Sequence, residues 1–149
     1  MRVLAHLTHT AIRLLDRVIP NRRDQGSPRH HRTGRRGEEE AYFYLRKHGY
    51  IMVARNYRCS RRRGEIDLVG WNEGLLCFIE VKTRTSHDVK PAEAAVDRDK
   101  RRELAGMARD YRRRLREEVP WRFDVISVYY ENAEMHPHIE LFKNAFTVS

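Results

Sequence analysis

The chain has 149 residues, of which 40% are hydrophobic and 34% charged, and its net charge is +9. This is enough apolar material for one compact domain, and the excess of positive charge favours anionic partners. Cys59 and Cys77 are the only cysteines, which excludes a disulfide framework and a cysteine-rich zinc site. No run approaches the roughly 18 apolar residues that cross a bilayer, which excludes a membrane span. A cytoplasmic protein is therefore expected.

Residues 1–33 are predicted to be a basic extension of the folded domain. Apolar residues recur at helical spacing from Val3 to Val18, which indicates a short amphipathic helix that ends before Pro20. Asn21 to Arg36 is rich in Gly, Ser, Pro, His and Arg without an apolar period, which is typical of a flexible linker. Residues 1–36 hold nine Arg and two Asp, a net of +7. The folded domain is therefore placed at residues 34–149.

The domain is predicted to follow the order helix, three strands, helix, two strands. The helices are placed at Gly37–His48 and Asp97–Glu118, and the strands at Tyr50–Tyr57, Glu65–Trp71, Leu75–Arg84, Arg122–Tyr130 and His138–Phe142. Short turns between the first three strands indicate an antiparallel meander. The expected fold is α/β, with a mixed central sheet of about five strands flanked by helices and preceded by the N-terminal helical extension.

A charged pair interrupts the apolar strand around Phe78. Side chains alternate along a strand, so Glu80 and Lys82 share one face of it, and Glu65 and Asp67 share one face of the preceding strand. Two turns remain open: a two-residue turn sets Glu65 opposite Glu80, and a four-residue turn sets Asp67 opposite Glu80. Both collect the four charged side chains on one face.

The first helix adds a further acid to this face. Glu38 shares the inward stripe of its helix with Ala41 and Leu45. Carboxylates that are gathered on a half-buried surface repel one another, and a bound cation relieves the repulsion. Hard oxygen ligands without clustered His or Cys suit Mg²⁺ or Mn²⁺. The pattern therefore predicts phosphodiester hydrolysis, with Lys82 orienting a water or stabilising the charge that develops on phosphorus.

These motifs resemble those of a known family. Gly37-Glu38-x-x-Ala41, Gly64-Glu65-Ile66-Asp67-Leu68-Val69, Phe78-Ile79-Glu80-Val81-Lys82-Thr83-Arg84 and a helix opening near Lys100 resemble the YraN-like family of uncharacterised bacterial proteins. That family is similar to small PD-(D/E)XK nucleases, to Holliday-junction resolvases and to the tRNA-endonuclease-like fold, so the resemblance implies a restriction-endonuclease-like core. It implies that Asp67 and Glu80 are metal ligands, that Lys82 is the catalytic lysine, and that Glu38 is an additional acid and ligand. The resemblance covers residues 34 to about 145 and does not extend to Met1–Thr33.

Several basic residues are candidates for contact with nucleic acid. Arg61, Arg62 and Arg63 lie in the turn before Glu65, where they either hold phosphates or form a solvated turn. Lys100 is the preferred phosphate contact on the second helix, because the family pattern also has a lysine near this helix start. The histidines at His30-His31 and His136-x-His138 are interpreted as incidental.

The sequence thus favours a metal-dependent endonuclease whose catalytic residues are Lys82, Glu38, Asp67 and Glu80. Nucleic acid is the expected partner, with DNA preferred over RNA and branched or single-stranded DNA as the expected substrate. A symmetric homodimer suits an enzyme that cuts both strands of a junction. Two alternatives stay open: a non-catalytic nucleic-acid-binding module with the same fold, and an adaptor that uses the N-terminal helix on a membrane surface.

Overall fold

The computed structural model describes residues 29–85, 96–132 and 135–148. They form two helices and five strands in the predicted order: α1 (Arg29–Lys47), β1 (Ile51–Tyr57), β2 (Ile66–Asn72), β3 (Leu75–Arg84), α2 (Arg98–Arg112), β4 (Trp121–Tyr129) and β5 (His138–Phe146). The predicted helix Val3–Val18 and linker residues 21–28 lie outside the described residues, and the division at residue 34 stays a prediction.

The five strands form one mixed sheet in the order β1-β2-β3-β4-β5. The first three strands form the predicted antiparallel meander. β4 then runs parallel to β3, with α2 between them in the chain, and β5 is antiparallel to β4. The predicted α/β fold, with a mixed sheet of five strands flanked by helices, is confirmed.

Two apolar clusters attach one helix to each face of the sheet. α1 packs through Ala41 and Leu45 against residues such as Ile79 of β3. α2 packs through Leu104 and Met107 against the opposite face, where the neighbouring residue Phe78 points. The alternating side chains of β3 are buried on both faces, as expected of a central strand in a mixed sheet.

The first helix begins eight residues earlier than predicted. α1 starts at Arg29 rather than at Gly37, so residues 29–36 are helical and not the end of a flexible linker. This segment lacks proline after Pro28 and is rich in arginine, which is a good helix former. Gly34 and Gly37 each cost about 1 kcal/mol in a helix interior, and the packed continuation of the same helix offsets that cost.

The later elements also differ from prediction at their ends. α2 ends at Arg112 rather than Glu118, and the chain then tightens into i→i+3 hydrogen bonds from Arg114 N–H to Tyr111 O and from Leu115 N–H to Arg112 O. β5 runs on to Phe146, four residues beyond its predicted end. Phe146 is buried and stacks on Phe123, so tertiary packing extends this strand where the local pattern has no signal.

A buried polar network joins residues of β2, β4 and β5 to Tyr50, which precedes β1, at one end of the sheet. Asp124 of β4 is fully buried and accepts hydrogen bonds from Tyr50 Oη (2.9 Å), Arg122 Nε (2.8 Å) and the backbone N–H of Asn144 (2.9 Å). Arg122 Nη2 also donates to Asn72 Oδ1 at 2.9 Å. Burial, and then the charge of Asp124, raises the pKa of Tyr50, so its hydroxyl stays protonated as a donor. Sequence analysis gave no sign of this network.

We expect Asp124→Ala to lower the free energy of unfolding by about 3 to 5 kcal/mol, because it leaves the Arg122 guanidinium without its buried counter-charge. Urea denaturation measures this directly. Glu140→Ala, which removes an exposed carboxylate from the adjacent strand, serves as the control and should change the value by less than about 0.5 kcal/mol. An Asp124→Ala protein as stable as the control would contradict a structural role for the network.

Candidate metal centre

β2 and β3 separate where their two acidic side chains meet. Their antiparallel ladder ends at the pair Leu68↔Ile79, and the next residues along the two strands are Asp67 and Glu80. The ladder does not continue here, and Asp67 Oδ2 accepts a hydrogen bond of 2.7 Å from the backbone N–H of Val81. The carboxylate therefore lies in the opening between the strands, with its backbone partner fixed by the sheet.

The register decides between the two turns that the sequence left open. The observed strand register places Asp67, rather than Glu65, beside Glu80. The turn contains only Glu73 and Gly74. The sequence analysis was therefore wrong to expect that this register needs a four-residue turn. Both turn residues have positive φ, 52° and 81°, as a two-residue type I′ hairpin requires.

The regular alternation expected of β2 breaks at the site. Ile66 and Leu68 would share one face of a regular strand, yet they belong to the clusters on opposite faces of the sheet. On the neighbouring β1, Asn56 adopts a left-handed conformation with φ 48°. The regular alternation on which the prediction rested therefore does not hold at this end of β2.

α1 brings Glu38 to this opening through a close approach to β3. A Cβ at Gly37 would overlap the side chain of Thr83, so only glycine allows this distance between helix and strand. Glu38 is partly buried while Glu39 is exposed, as predicted from the helical spacing. Glu38 Oε2 accepts a hydrogen bond of 3.0 Å from Asn56 Nδ2, which fixes the carboxylate toward β1.

Three carboxylates meet at the opening. One oxygen each from Glu38, Glu65 and Asp67 lies within 4.8 Å of the others. Sequence analysis left Glu65 off the catalytic set, because its position suited the exposed end of a strand slightly better than a supporting acid of the site. In the structure Glu65 also forms an ion pair with Arg58, with 2.7 Å between Nη2 and Oε2.

Glu80 lies beside Asp67 but outside this trio, and it pairs with two lysines. Its side chain is only 5% exposed, and its Oε1 lies 2.9 Å from Lys82 Nζ and 3.8 Å from Lys100 Nζ. Its Oε2 is buried and has no hydrogen-bond partner within the described part of the chain. Lys100 reaches the site from the first turn of α2, whose N-cap Asp97 accepts a hydrogen bond from the Lys100 backbone N–H.

Burial and mutual repulsion disfavour the ionised carboxylates of the opening. Burial, followed by the charge of Glu80, raises the pKa of Asp67 well above its ordinary value. Burial also raises the pKa of Glu38. These shifts mean that ionised carboxylates are unfavourable here without an added positive charge. Carboxylate oxygens as the donor set, together with the unpartnered Glu80 Oε2, fit Mg²⁺ or Mn²⁺.

The three arginines predicted to contact nucleic acid before β2 differ in their contacts. Arg61, Arg62 and Arg63 are all exposed in the turn before β2. Arg62, however, lies against Gly106 and forms an ion pair of 2.8 Å with Asp110 of α2, so it attaches the turn to the helix. Only Arg61 and Arg63 keep the arrangement expected of phosphate contacts in this turn.

The acidic cluster and both lysines lie in the part of the chain that matches a known family. Residues 37–128 match the model of the Uncharacterised protein family UPF0102. The chain belongs to the UPF0102 family. The predicted resemblance to YraN-like proteins is thereby confirmed at the level of the family.

Full-length UPF0102 proteins match most or all of the chain. It is 51% identical over 149 residues to one from Koribacter versatilis, a match that covers 100% of this chain and 99% of that protein. Identity is 47% over 138 residues with one from Solibacter usitatus (91% of this chain, 99% of that protein) and 43% over 111 residues with one from Lachnoclostridium phytofermentans (73% and 87%). The first match includes residues 1–33, so the extension has a counterpart in that relative. Neither helix formed by the described residues is long and apolar enough to cross a bilayer.

We expect Asn56→Gly to raise the pKa of Glu38 further, because the amide hydrogen bond that it removes favours the ionised carboxylate. Glycine accepts the left-handed backbone, so the strand keeps its path. A ¹³C NMR titration of the side-chain carboxyl measures the shift. Asn144→Gly is the matched control, since Asn144 has a similar φ of 52° on β5. An unchanged Glu38 titration in Asn56→Gly would show that the hydrogen bond is not formed in solution.

Asp67→Asn should stabilise the metal-free protein at neutral pH. The pKa of Asp67 is raised on folding, so its contribution to stability is present at low pH and lost as the pH rises through the folded-state value. Asparagine keeps an acceptor for Val81 N–H and carries no charge. In EDTA, the urea midpoint of the variant should exceed that of wild type at pH 7.5, and the difference should narrow toward pH 4.

Glu140→Gln, which neutralises an exposed carboxylate, should leave the urea midpoint unchanged at both pH values. A lower midpoint for Asp67→Asn at pH 7.5 would mean that ionised Asp67 is favourable in the fold, which would contradict the electrostatic account of the opening.

Proposed function

We propose that the chain is a metal-dependent nuclease that hydrolyses phosphodiester bonds of nucleic acid. The observation that carries the proposal is the convergence of acids from three segments, Glu38, Asp67 and Glu80, beside the ammonium group of Lys82 where β2 and β3 separate. Such a group is costly in a half-buried opening, and the hydrogen bond from Val81 N–H to Asp67 accounts for only one of the three carboxylates.

The architecture around the acids supports a PD-(D/E)XK type of enzyme. A mixed sheet carries a helix on each face, and the acids project from the start of β2 and the middle of β3, with one more from the first helix. This arrangement is compatible with the restriction-endonuclease-like core that the sequence resemblance to small nucleases and junction resolvases implies.

Asp67, Glu80 and Glu38 would hold the ion, and Glu65 is near enough to Asp67 and Glu38 to contribute a further oxygen. Mg²⁺ and Mn²⁺ commonly take one to three carboxylates and leave positions for water and phosphate. When bound, the ion polarises the phosphoryl group and helps to ionise the attacking water. Because Glu80 Oε1 already binds lysine, Oε2 is the oxygen that this residue can offer.

Lys82 acts on the phosphate group itself. Lys82 Nζ is held by Glu80 Oε1 at 2.9 Å and keeps further N–H donors for a water or a phosphoryl oxygen. In the hydrolysis, the water oxygen bonds to phosphorus, the bond from phosphorus to the ester oxygen breaks, and the leaving oxygen takes up a proton. Negative charge grows on phosphorus oxygens during this step, and the ammonium group of Lys82 stabilises it.

The basic surface beside the site fits a polyanionic substrate. Arg61 and Arg63 are exposed in the turn that leads into Glu65, and Lys100 neutralises part of the acidic charge at the opening. Phosphate contacts of this kind position a nucleic acid without reading its sequence. DNA, branched or single-stranded, is the proposed substrate over RNA, in line with the resemblance to junction resolvases.

Cleavage of a panel of branched, flapped, single-stranded and duplex DNA and RNA in Mg²⁺ or Mn²⁺ tests the proposal. We expect cutting that EDTA abolishes. Lys82→Ala should lose on the order of 100-fold or more in rate, because it removes a group that stabilises the transition state. Asp67→Ala should lose cutting and keep binding. Lys47→Ala, at the exposed end of α1, is the control and should cut normally.

Absence of cutting across the whole panel, with nucleic-acid binding retained, would replace the nuclease with the non-catalytic binding module. Cutting that Asp67→Ala and Lys82→Ala leave unchanged would point to a contaminating enzyme and overturn the assignment of the site.

A further inference from the structure

We propose that a second nucleic-acid contact lies at the C-terminal end of α2, in a cleft of about 270 Å³. We name it the arginine cleft after its four guanidinium groups; its lining consists of Arg109, Arg112, Arg113, Leu115, Arg116, Glu117, Glu118 and Val119. The nuclease proposal supplies the identity of the ligand, a nucleic-acid backbone, but binding in the cleft does not require hydrolysis.

The cleft is concave because α2 ends early. After Arg112 the chain turns through i→i+3 hydrogen bonds and returns toward β4, so the helix end and the returning segment form its two walls. Leu115 and Val119 pack against the apolar cluster under α2, which fixes the returning segment. A concave basic surface can surround a phosphate with several donors, whereas the convex face of a helix presents them singly.

The arginines are partly held in place, and two of the acids near them, Glu118 and Asp110, are already engaged. Arg112 lies 4.6 Å from the ring centre of Trp121 and 3.8 Å from Glu118. Asp110, next to the cleft, is bound by Arg62 at 2.8 Å. Within residues 29–85, 96–132 and 135–148, Arg109 has no ion-pair partner. The same holds there for Arg116, so both guanidinium groups can form two-pronged hydrogen bonds with phosphate.

The position of the cleft relative to the acidic opening suits a nucleic acid that lies along α2. Lys100 binds Glu80 in the first turn of this helix, and Arg113 directly follows its last residue. Lys100 and Arg113 are thirteen residues apart, which corresponds to about 20 Å at a helical rise of 1.5 Å per residue. This distance is roughly that of six base pairs of duplex at 3.4 Å per pair. A substrate held at both places is anchored beyond the bond that is cut.

The alternative explanation is that these arginines only stabilise the negative end of the helix dipole. That effect acts on folding and is local to the last turn, so it predicts a change in stability and none in nucleic-acid affinity. The two explanations therefore differ in what they predict for the same variant.

The test uses the full chain with Arg109→Gln and Arg116→Gln combined, since neither residue has an ion pair that folding would lose. The probe is a fluorescently labelled DNA four-way junction with long arms, titrated in EDTA between about 50 and 200 mM salt. We expect affinity to fall on the order of 10-fold or more and the slope of log Kd against log salt to decrease by about 2, one unit for each lost phosphate contact.

The matched control, Lys47→Gln with Lys143→Gln, removes the same charge from the side of the sheet that α1 covers, where Lys143 lies near Tyr50 of that apolar cluster. It should keep the wild-type affinity and slope. A junction with arms too short to span α2 should bind the cleft variant and wild type alike. The urea midpoint of the cleft variant should match wild type, and Arg116→Gln alone, outside the helix, should show half of the slope change.

The outcomes separate this proposal from the nuclease proposal. A wild-type slope in the cleft variant, or no binding of the junction by wild type, overturns the cleft whether or not DNA is cut. A reduced slope supports the cleft even where no substrate is cut, and in that case only the enzymatic proposal falls. A lower urea midpoint with unchanged affinity supports the dipole explanation instead.

Discussion

The opening between β2 and β3 depends on one hydrogen bond, from the Val81 backbone N–H to the Asp67 carboxylate. The Asp67 carboxylate accepts the N–H that the backbone of a paired strand would otherwise accept. The ladder between β2 and β3 can therefore end at Leu68↔Ile79 without leaving this N–H unpaired. The arrangement puts an anionic oxygen in a buried position next to Glu80. The rest of the domain has to keep that position in place against the repulsion between the two carboxylates.

The packing on both faces of the sheet supplies this support. α1 is attached to the sheet by the contact of Gly37 with Thr83 of β3 and by the burial of Leu45. α2 is attached to the other face of the sheet through Leu104. Each helix then brings a charged side chain to the opening, Glu38 from the middle of α1 and Lys100 from the first turn of α2. The Asp124 network stabilises the far end of the sheet, where apolar packing alone would leave a buried arginine without a partner.

The parts of the site that follow local periodicity could be predicted from sequence, and those that depend on distant residues could not. The positions of Glu80 and Lys82 on one face of β3, and of Glu38 on the inner stripe of α1, follow from repeats of two and 3.6 residues. The left-handed Asn56 and the face change between Ile66 and Leu68 arise from pairing between strands. The bond from Tyr50 to Asp124 joins residues 74 positions apart, so no local pattern contains it.

Under the proposed function, the acidic opening and the basic surface act on a nucleic acid with opposite sign. Without a cation, Asp67 and Glu38 repel a phosphate at the point where it must react, while arginines at the other end of α2 attract it about 20 Å away. A divalent ion among the carboxylates reverses the first effect and leaves the second unchanged. Under the proposed function, ion and substrate therefore increase each other's affinity, by the reciprocity that any coupling between two binding sites must obey. The same carboxylates that destabilise the metal-free fold thus make correctly placed binding depend on the ion that the reaction requires.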